Sequence, residues 1–213
     1  MYKAIFIDLD GVIRHWDNQA VDLIEAENGL RKGSFFEQAF AEQVLIPAIT
    51  GKYSHHEWSE LVRKKLSSQM NTSVIEQLIT AWLSAPCSMD YELVDAIKSR
   101  FPETKLFLVT NATDRLTKDL QSTDLRKLLD VVVNSSEIGY AKPDSKFFDR
   151  ALEISGLQPQ DILFIDDSLG NVQAAIRIGI AAFHFSDSKQ TLAELDNHIT
   201  NKCSGPANAG ALI

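Results

Sequence analysis

Five short apolar runs punctuate the chain: Ala4-Ile5-Phe6-Ile7, Lys105-Leu106-Phe107-Leu108-Val109, Val131-Val132-Val133, Ile162-Leu163-Phe164-Ile165 and Ala181-Ala182-Phe183-His184-Phe185. Each is brief, nearly continuous and bounded by polar residues, the pattern of a strand buried on both faces. Between them the apolar positions recur at helical spacing. Leu93, Ile97 and Phe101 form one face, and Leu116, Leu120 and Leu125 a second. Phe147, Phe148, Ala151, Leu152 and Ile154 form a third, and Val172, Ala175, Ile176 and Gly179 a fourth. Strands alternating with helices predict a mainly parallel sheet covered on both faces, an α/β fold.

The first crossover departs from this rhythm. A βαβ unit takes roughly 30 residues, yet about 95 separate Asp10 from Lys105. One helix, near Asp90 to Phe101, is enough to close the crossover. The surplus, residues 17–84, reads as helical: Val21, Ile24 and Ala26; Phe35, Phe36, Ala39 and Phe40; Trp58, Leu61, Val62 and Leu66; Val74, Leu78, Ile79 and Trp82. Ser54-His55-His56-Glu57 has the form of a capping box. The expected architecture is therefore a Rossmann-like three-layer core, residues 1–16 and 85–213, with a helical insertion over the carboxyl end of the sheet. Residues 204–210 have loop composition.

Composition narrows the function. The 213 residues are 45% hydrophobic and 23% charged, with a formal net charge of −8, which argues against a nucleic-acid or anionic-membrane partner. No apolar stretch approaches the roughly 20 residues that span a bilayer, and Met1-Tyr2-Lys3 runs directly into a strand. Cys87 and Cys203 supply neither a disulfide framework nor a cysteine zinc site, so a reducing cytoplasm is the expected compartment. Nothing in the pattern sets an oligomeric state.

The candidate chemistry lies at the carboxyl ends of the strands, where open α/β sheets bind ligands. Asp8 and Asp10 follow the first run. Two carboxylates about 4 Å apart repel by roughly 4 kcal/mol at an effective dielectric of 20, so something cationic must offset them. The second run ends in Thr110-Asn111, ahead of a helix whose expected N-cap is Thr113 or Asp114. Ala141-Lys142-Pro143-Asp144 follows the third, with Pro143 expected to open the next helix. Asp166-Asp167-Ser168 ends the fourth, with Gly170 and Asn171 at a helix start. Four carboxylates, an ammonium, a hydroxyl and helix-start amides fit Mg²⁺ and a substrate phosphate.

These segments, in this order, resemble the four motifs of the haloacid dehalogenase-like (HAD) superfamily: Asp8-Leu9-Asp10-Gly11-Val12, Thr110-Asn111, Lys142-Pro143-Asp144 and Asp166-Asp167-Ser168. The insertion resembles that superfamily's helical cap of the subfamily I (C1) type. The resemblance implies a Mg²⁺-dependent phosphatase acting on a small phosphorylated metabolite through an aspartyl-phosphate. Asp8 would be the nucleophile and Asp10 the general acid and base. Thr110, Asn111 and Lys142 would bind phosphate. Asp8, Asp166 and Asp167, with the backbone carbonyl of Asp10, would hold Mg²⁺. On this scheme Asp8 and Asp10 titrate as a coupled pair. A phosphomutase would use the same residues. A dehalogenase fits less well, because an aromatic residue is usual there at the position of Asp10. A phospho-receiver domain fits poorly in motif order.

Arg14 and His15, just past the nucleophile, are candidate substrate contacts. His55 and His56 lack metal-ligand spacing. Trp58 and Trp82 read as core of the insertion, and Gly11 as a turn glycine with positive φ.

Overall fold

The computed structural model describes residues 2–203, with side chains through Asp196. The side chain of Cys203 and the loop-like segment 204–210 lie outside that range. Five strands form one wholly parallel sheet: β1 (Ala4–Ile7), β4 (Lys105–Thr110), β5 (Val131–Asn134), β6 (Ile162–Asp166) and β7 (Ala181–His184), in the order β5-β4-β1-β6-β7. All five expected strands are present. Alternate side chains on a strand point to opposite faces, and each face has its own core. Ile5, Ile7, Leu106, Leu108, Leu163 and Ile165 face α6 (Tyr91–Arg100) and α7 (Leu116–Gln121). Phe6, Phe107, Val109 and Phe164 face α10 (Ser145–Ser155) and α11 (Leu169–Arg177). These are the three layers expected. Among the described residues no helix is long and apolar enough to cross a membrane.

The chain steps from β1 to β4 and β5 on one side, then to β6 and β7 on the other. β1 is thus the topological switch point, and the crevice at its carboxyl end is where this fold places ligands.

A two-stranded antiparallel ribbon of β2 (Arg14–Trp16) and β3 (Cys87–Met89) was not evident in the sequence, because three residues are too few for an alternation to show. Between its strands lie α1 (Gln19–Glu27), α2 (Ser34–Ala39), α3 (Glu42–Ile49), α4 (His55–Leu66) and α5 (Thr72–Leu83). Helix α3 also escaped the sequence reading; Pro47 sits inside it. These helices have a hydrophobic cluster of their own, built on Val21, Phe35, Val62, Leu66, Ile75 and Leu78. The capping box at Ser54 and Glu57 is formed. A fully buried Glu25 accepts from the amides of Gly33 (2.6 Å) and Phe35 (2.7 Å) and from the Ser34 hydroxyl (3.0 Å), tying α1 to the start of α2.

The helical unit meets the core closely at Gly51. Its φ is +75°, and a Cβ there would lie 2.1 Å from the carbonyl oxygen of Ser136. Gly156 has a similar φ of +68° but nothing within 4 Å. Gly156→Ala should therefore cost only left-handed backbone strain, about 1–2 kcal/mol. Gly51→Ala should cost distinctly more, measured as a lower midpoint in urea unfolding, because backbone must also move. Equal losses for the two variants would show that the Gly51 contact is not tight.

Candidate functional site

The site is assembled from strand ends. Beyond β1 the Asp8 amide still donates to the Ile165 carbonyl (3.0 Å), so the ladder fixes the backbone that carries the first carboxylate. Asp8 is buried; its Oδ1 accepts from the Leu9 amide (2.8 Å) and lies 3.0 Å from Lys142 Nζ. The same ammonium donates to Asp166 Oδ2 at 2.6 Å and to the Val109 carbonyl at 2.9 Å. An ammonium has three N–H donors, and all three of Lys142 are engaged. Its backbone is held as well: Asn111 Nδ2 donates to the Lys142 carbonyl (2.9 Å), and the Lys142 amide donates to Asn111 Oδ1 (2.8 Å). Both halves of the Asn111 amide are thus committed to locating the lysine.

Asp166, fully buried at the end of β6, also accepts from the Ser168 amide (2.8 Å) and Asn171 Nδ2 (2.9 Å) through Oδ1. Asp167 is exposed beside it. Carboxylate oxygens of Asp8, Asp166 and Asp167 lie within 4.8 Å of one another. Gly11, at φ +86°, leaves the space that Asp167 occupies: a Cβ there would sit 2.1 Å from Asp167 Oδ2. The turn glycine read from the sequence therefore also makes room for a carboxylate.

Three carboxylates against one ammonium leave an excess of negative charge in a largely buried site. Burial, with help from Asp166, raises Asp8 to about 6 even though Lys142 pulls it down. Burial and Asp166 also raise Asp167. Burial alone would lower Lys142, but Asp8 and Asp166 outweigh it and hold the ammonium charged. An all-oxygen, over-acidic cluster of this kind fits a hard divalent cation such as Mg²⁺.

Asp10 is placed differently. Its carboxylate takes Arg14 Nε at 2.7 Å, Arg14 Nη2 at 2.9 Å and Trp16 Nε1 at 2.7 Å. Its side chain is not part of the acidic cluster. The chain turns at Gly11 and aims Asp10 toward β2, while the charged groups that shift Asp8 are Lys142 and Asp166. Arg14, buried, also reaches Asp119 (3.1 Å), which Arg115 holds in turn (3.0 Å).

Two helix starts differ from expectation. Helix α7 begins at Leu116 after Arg115, so neither Thr113 nor Asp114 caps it. Asp114 instead accepts the His55 amide (2.7 Å) at the start of α4, and Thr113 Oγ1 meets His55 Nδ1 (3.1 Å): both residues bind the helical unit to the core. Helix α10 begins at Ser145 with Asp144 as its N-cap, accepting from the Lys146 amide (3.0 Å), so Pro143 precedes the helix rather than opening it. Thr110 stands buried at the end of β4, as expected.

Beside Asp10 a cavity of about 320 Å³ opens between core and helical unit. Arg14, Trp16 and Asn111 line it, but His15 does not: the neighbouring strand position faces outward, into a separate depression with Ser88 and Tyr91. Trp58 and Trp82 do line it, while Trp58 also packs in the helical core, so the two indoles are more than filling.

The model of the haloacid dehalogenase-like hydrolases matches residues 2–179. The Drosophila melanogaster Rhythmically expressed gene 2 protein is 36% identical over 99 residues, 44% of this chain and 38% of that protein. The chain spans well under half the length of this and other curated relatives that it matches locally. GMP/IMP nucleotidase YrfG of Escherichia coli is 24% identical over 83% of this chain and 79% of its own length. A HAD family enzyme of Bacteroides thetaiotaomicron, solved with magnesium and inorganic phosphate, superposes with a TM-score of 0.67 at 22% identity, covering 87% of this chain and 95% of that one. That likeness is one of fold.

Proposed function

Because the chain belongs to the haloacid dehalogenase-like hydrolases, we propose that it is a Mg²⁺-dependent phosphatase that hydrolyses a small phosphomonoester through a phosphorylated Asp8. The observation that carries this reading is the bracketing of one buried ammonium by Asp8 and Asp166, with Asp167 alongside, at the switch point of the sheet. The nucleotidase among its relatives and the magnesium–phosphate complex of the Bacteroides enzyme support it.

Asp8, Asp166, Asp167 and the backbone carbonyl of Asp10 would hold Mg²⁺, which when bound neutralises the acidic excess and draws charge from the phosphoryl oxygens. Asp8, fixed by the ladder, attacks phosphorus. Carboxylate attack splits a difficult displacement into two easier steps. Lys142 and Thr110 meet phosphoryl oxygens; the lysine does so by sharing a donor now directed at Asp8 or Asp166. Asn111 acts through Lys142 by fixing its backbone. Asp10, aimed by Arg14 and Trp16, gives a proton to the leaving oxygen and later takes one from water. The helical unit, residues 17–84, serves as the cap.

With Mg²⁺ the protein should release inorganic phosphate from p-nitrophenyl phosphate, lose that activity in EDTA and recover it when Mg²⁺ is restored. Turnover that persists undiminished in EDTA would sink the metal-dependent reading.

A further inference from the structure

We propose that the organic group of the substrate is uncharged and apolar, an aryl or branched-alkyl group rather than a sugar or nucleoside, held in the cavity between Asp10 and the helical unit. This deepens the phosphatase reading and rests on it.

The cavity is adjacent to Asp10, the group positioned to protonate the leaving oxygen, so whatever is attached to that oxygen must enter it. Its volume of about 320 Å³ falls at the small end of ligand sites. Away from Asp10 the wall is Phe36, Phe40, Leu45, Ile49, Trp58 and Trp82. Trp58 and Trp82 stand edge to face at 4.7 Å, and Phe40 packs edge-on against Trp58 at 5.6 Å. Phe40 is 46% exposed, although it belongs to this cluster. Apolar area left open beside a reactive site is area that a ligand can cover.

Several polar groups of the lining are already engaged, although the Asn18 side chain makes no cap hydrogen bond. Trp58 Nε1 donates to the Ala39 carbonyl (2.9 Å), and Trp16 Nε1 to Asp10. Arg14 is bound by Asp10 and Asp119, and Arg115 by Asp119 and the Leu83 carbonyl (3.3 Å). Both arginines are thus held by carboxylates of the same wall, and burial and Arg115 keep His55 toward neutral. Against the aromatic and aliphatic wall, sugar hydroxyls or the polar edge of a nucleobase would lose water and regain few partners.

The test compares kcat/KM, with Mg²⁺, for 2-naphthyl phosphate, 3,7-dimethyloctyl phosphate, glucose 6-phosphate and GMP. The first two should exceed the last two by about tenfold or more, the scale of one well-buried apolar group. Phe40→Ser should raise KM for 2-naphthyl phosphate several-fold with little change in kcat, and Phe40→Leu should restore most of the loss. All three tryptophans of the chain line the cavity. Their fluorescence in EDTA should therefore respond to 3,7-dimethyloctyl phosphate, and saturably, without turnover. A preference for glucose 6-phosphate or GMP would overturn this inference and leave the phosphatase reading intact. No phosphate release from any ester, p-nitrophenyl phosphate included, would overturn the phosphatase reading. The fluorescence titration would then decide the cavity's ligand class alone, and no response to the alkyl phosphate would overturn that too.

Discussion

Asp8→Asn should abolish phosphate release while leaving the metal-free protein at least as stable as the wild type. The first effect follows from removing the attacking oxygen. The second follows from burial. Asp8 in the fold has its pKa raised from 3.8 to about 6. A group whose pKa rises on folding contributes stability that is complete below its free value and lost as pH climbs through the folded one. At pH 7.5 the ionised carboxylate is therefore a burden of at most about 3 kcal/mol. An uncharged Asn of the same shape removes it. Differential scanning calorimetry in EDTA should show Tm unchanged or higher, by roughly 2–4 °C per kcal/mol relieved. The same linkage sets the metal's signature. Mg²⁺ should raise the wild-type Tm more at pH 7.5 than at pH 5.0, where it must displace a proton from Asp8, and it should do little for Asp8→Asn. Near-normal turnover by a folded Asp8→Asn protein would remove Asp8 as the nucleophile.

Lys142→Met should be the most damaging single change to the folded state of the site. The ammonium is wholly buried between Asp8 and Asp166, and both carboxylates depend on it. Removing one member of a buried ion pair typically costs roughly 3–5 kcal/mol, because the charge left behind has neither water nor partner. Denaturant unfolding in EDTA at pH 7.5 should show a loss of that order, together with loss of phosphatase activity. The deficit should shrink at pH 5.0, where Asp8 can take a proton, and in Mg²⁺. A loss below about 1 kcal/mol, the scale of an exposed pair, would mean that the ammonium does not hold the two carboxylates together. Met keeps the length and apolar character of the lysine stem, so the measured loss belongs to the charge.

Much of this architecture was legible because it rests on local rules. Continuous apolar runs such as Ile162-Leu163-Phe164-Ile165 can be satisfied only by burial on both faces, so the five strands and their parallel pairing followed from the pattern. The capping box at Ser54 and Glu57 is likewise a short-range device. Asp8, Thr110, Lys142 and Asp166 were identifiable because each stands at or just beyond a strand or helix boundary, and the connection rules send those boundaries to one edge of the sheet.

What the chain's order could not show is which side chain meets which across that edge. That Asp10 turns from Asp8 to Arg14 and Trp16 depends on the ribbon of β2 and β3, whose pairing joins residues more than 70 positions apart. That Asp114 serves α4 rather than its own helix, that Glu25 holds the start of α2, and that His15 faces away from Arg14 are likewise outcomes of docking. The sequence by itself determined the sheet, its layers and the acidic inventory at its edge, because apolar periodicity and charge must be accommodated in any fold the chain adopts. Only the tertiary structure decided the aim of Asp10, the clamp of Asn111 on Lys142 and the aromatic wall opposite them, because those depend on distances between segments that have no relation along the chain.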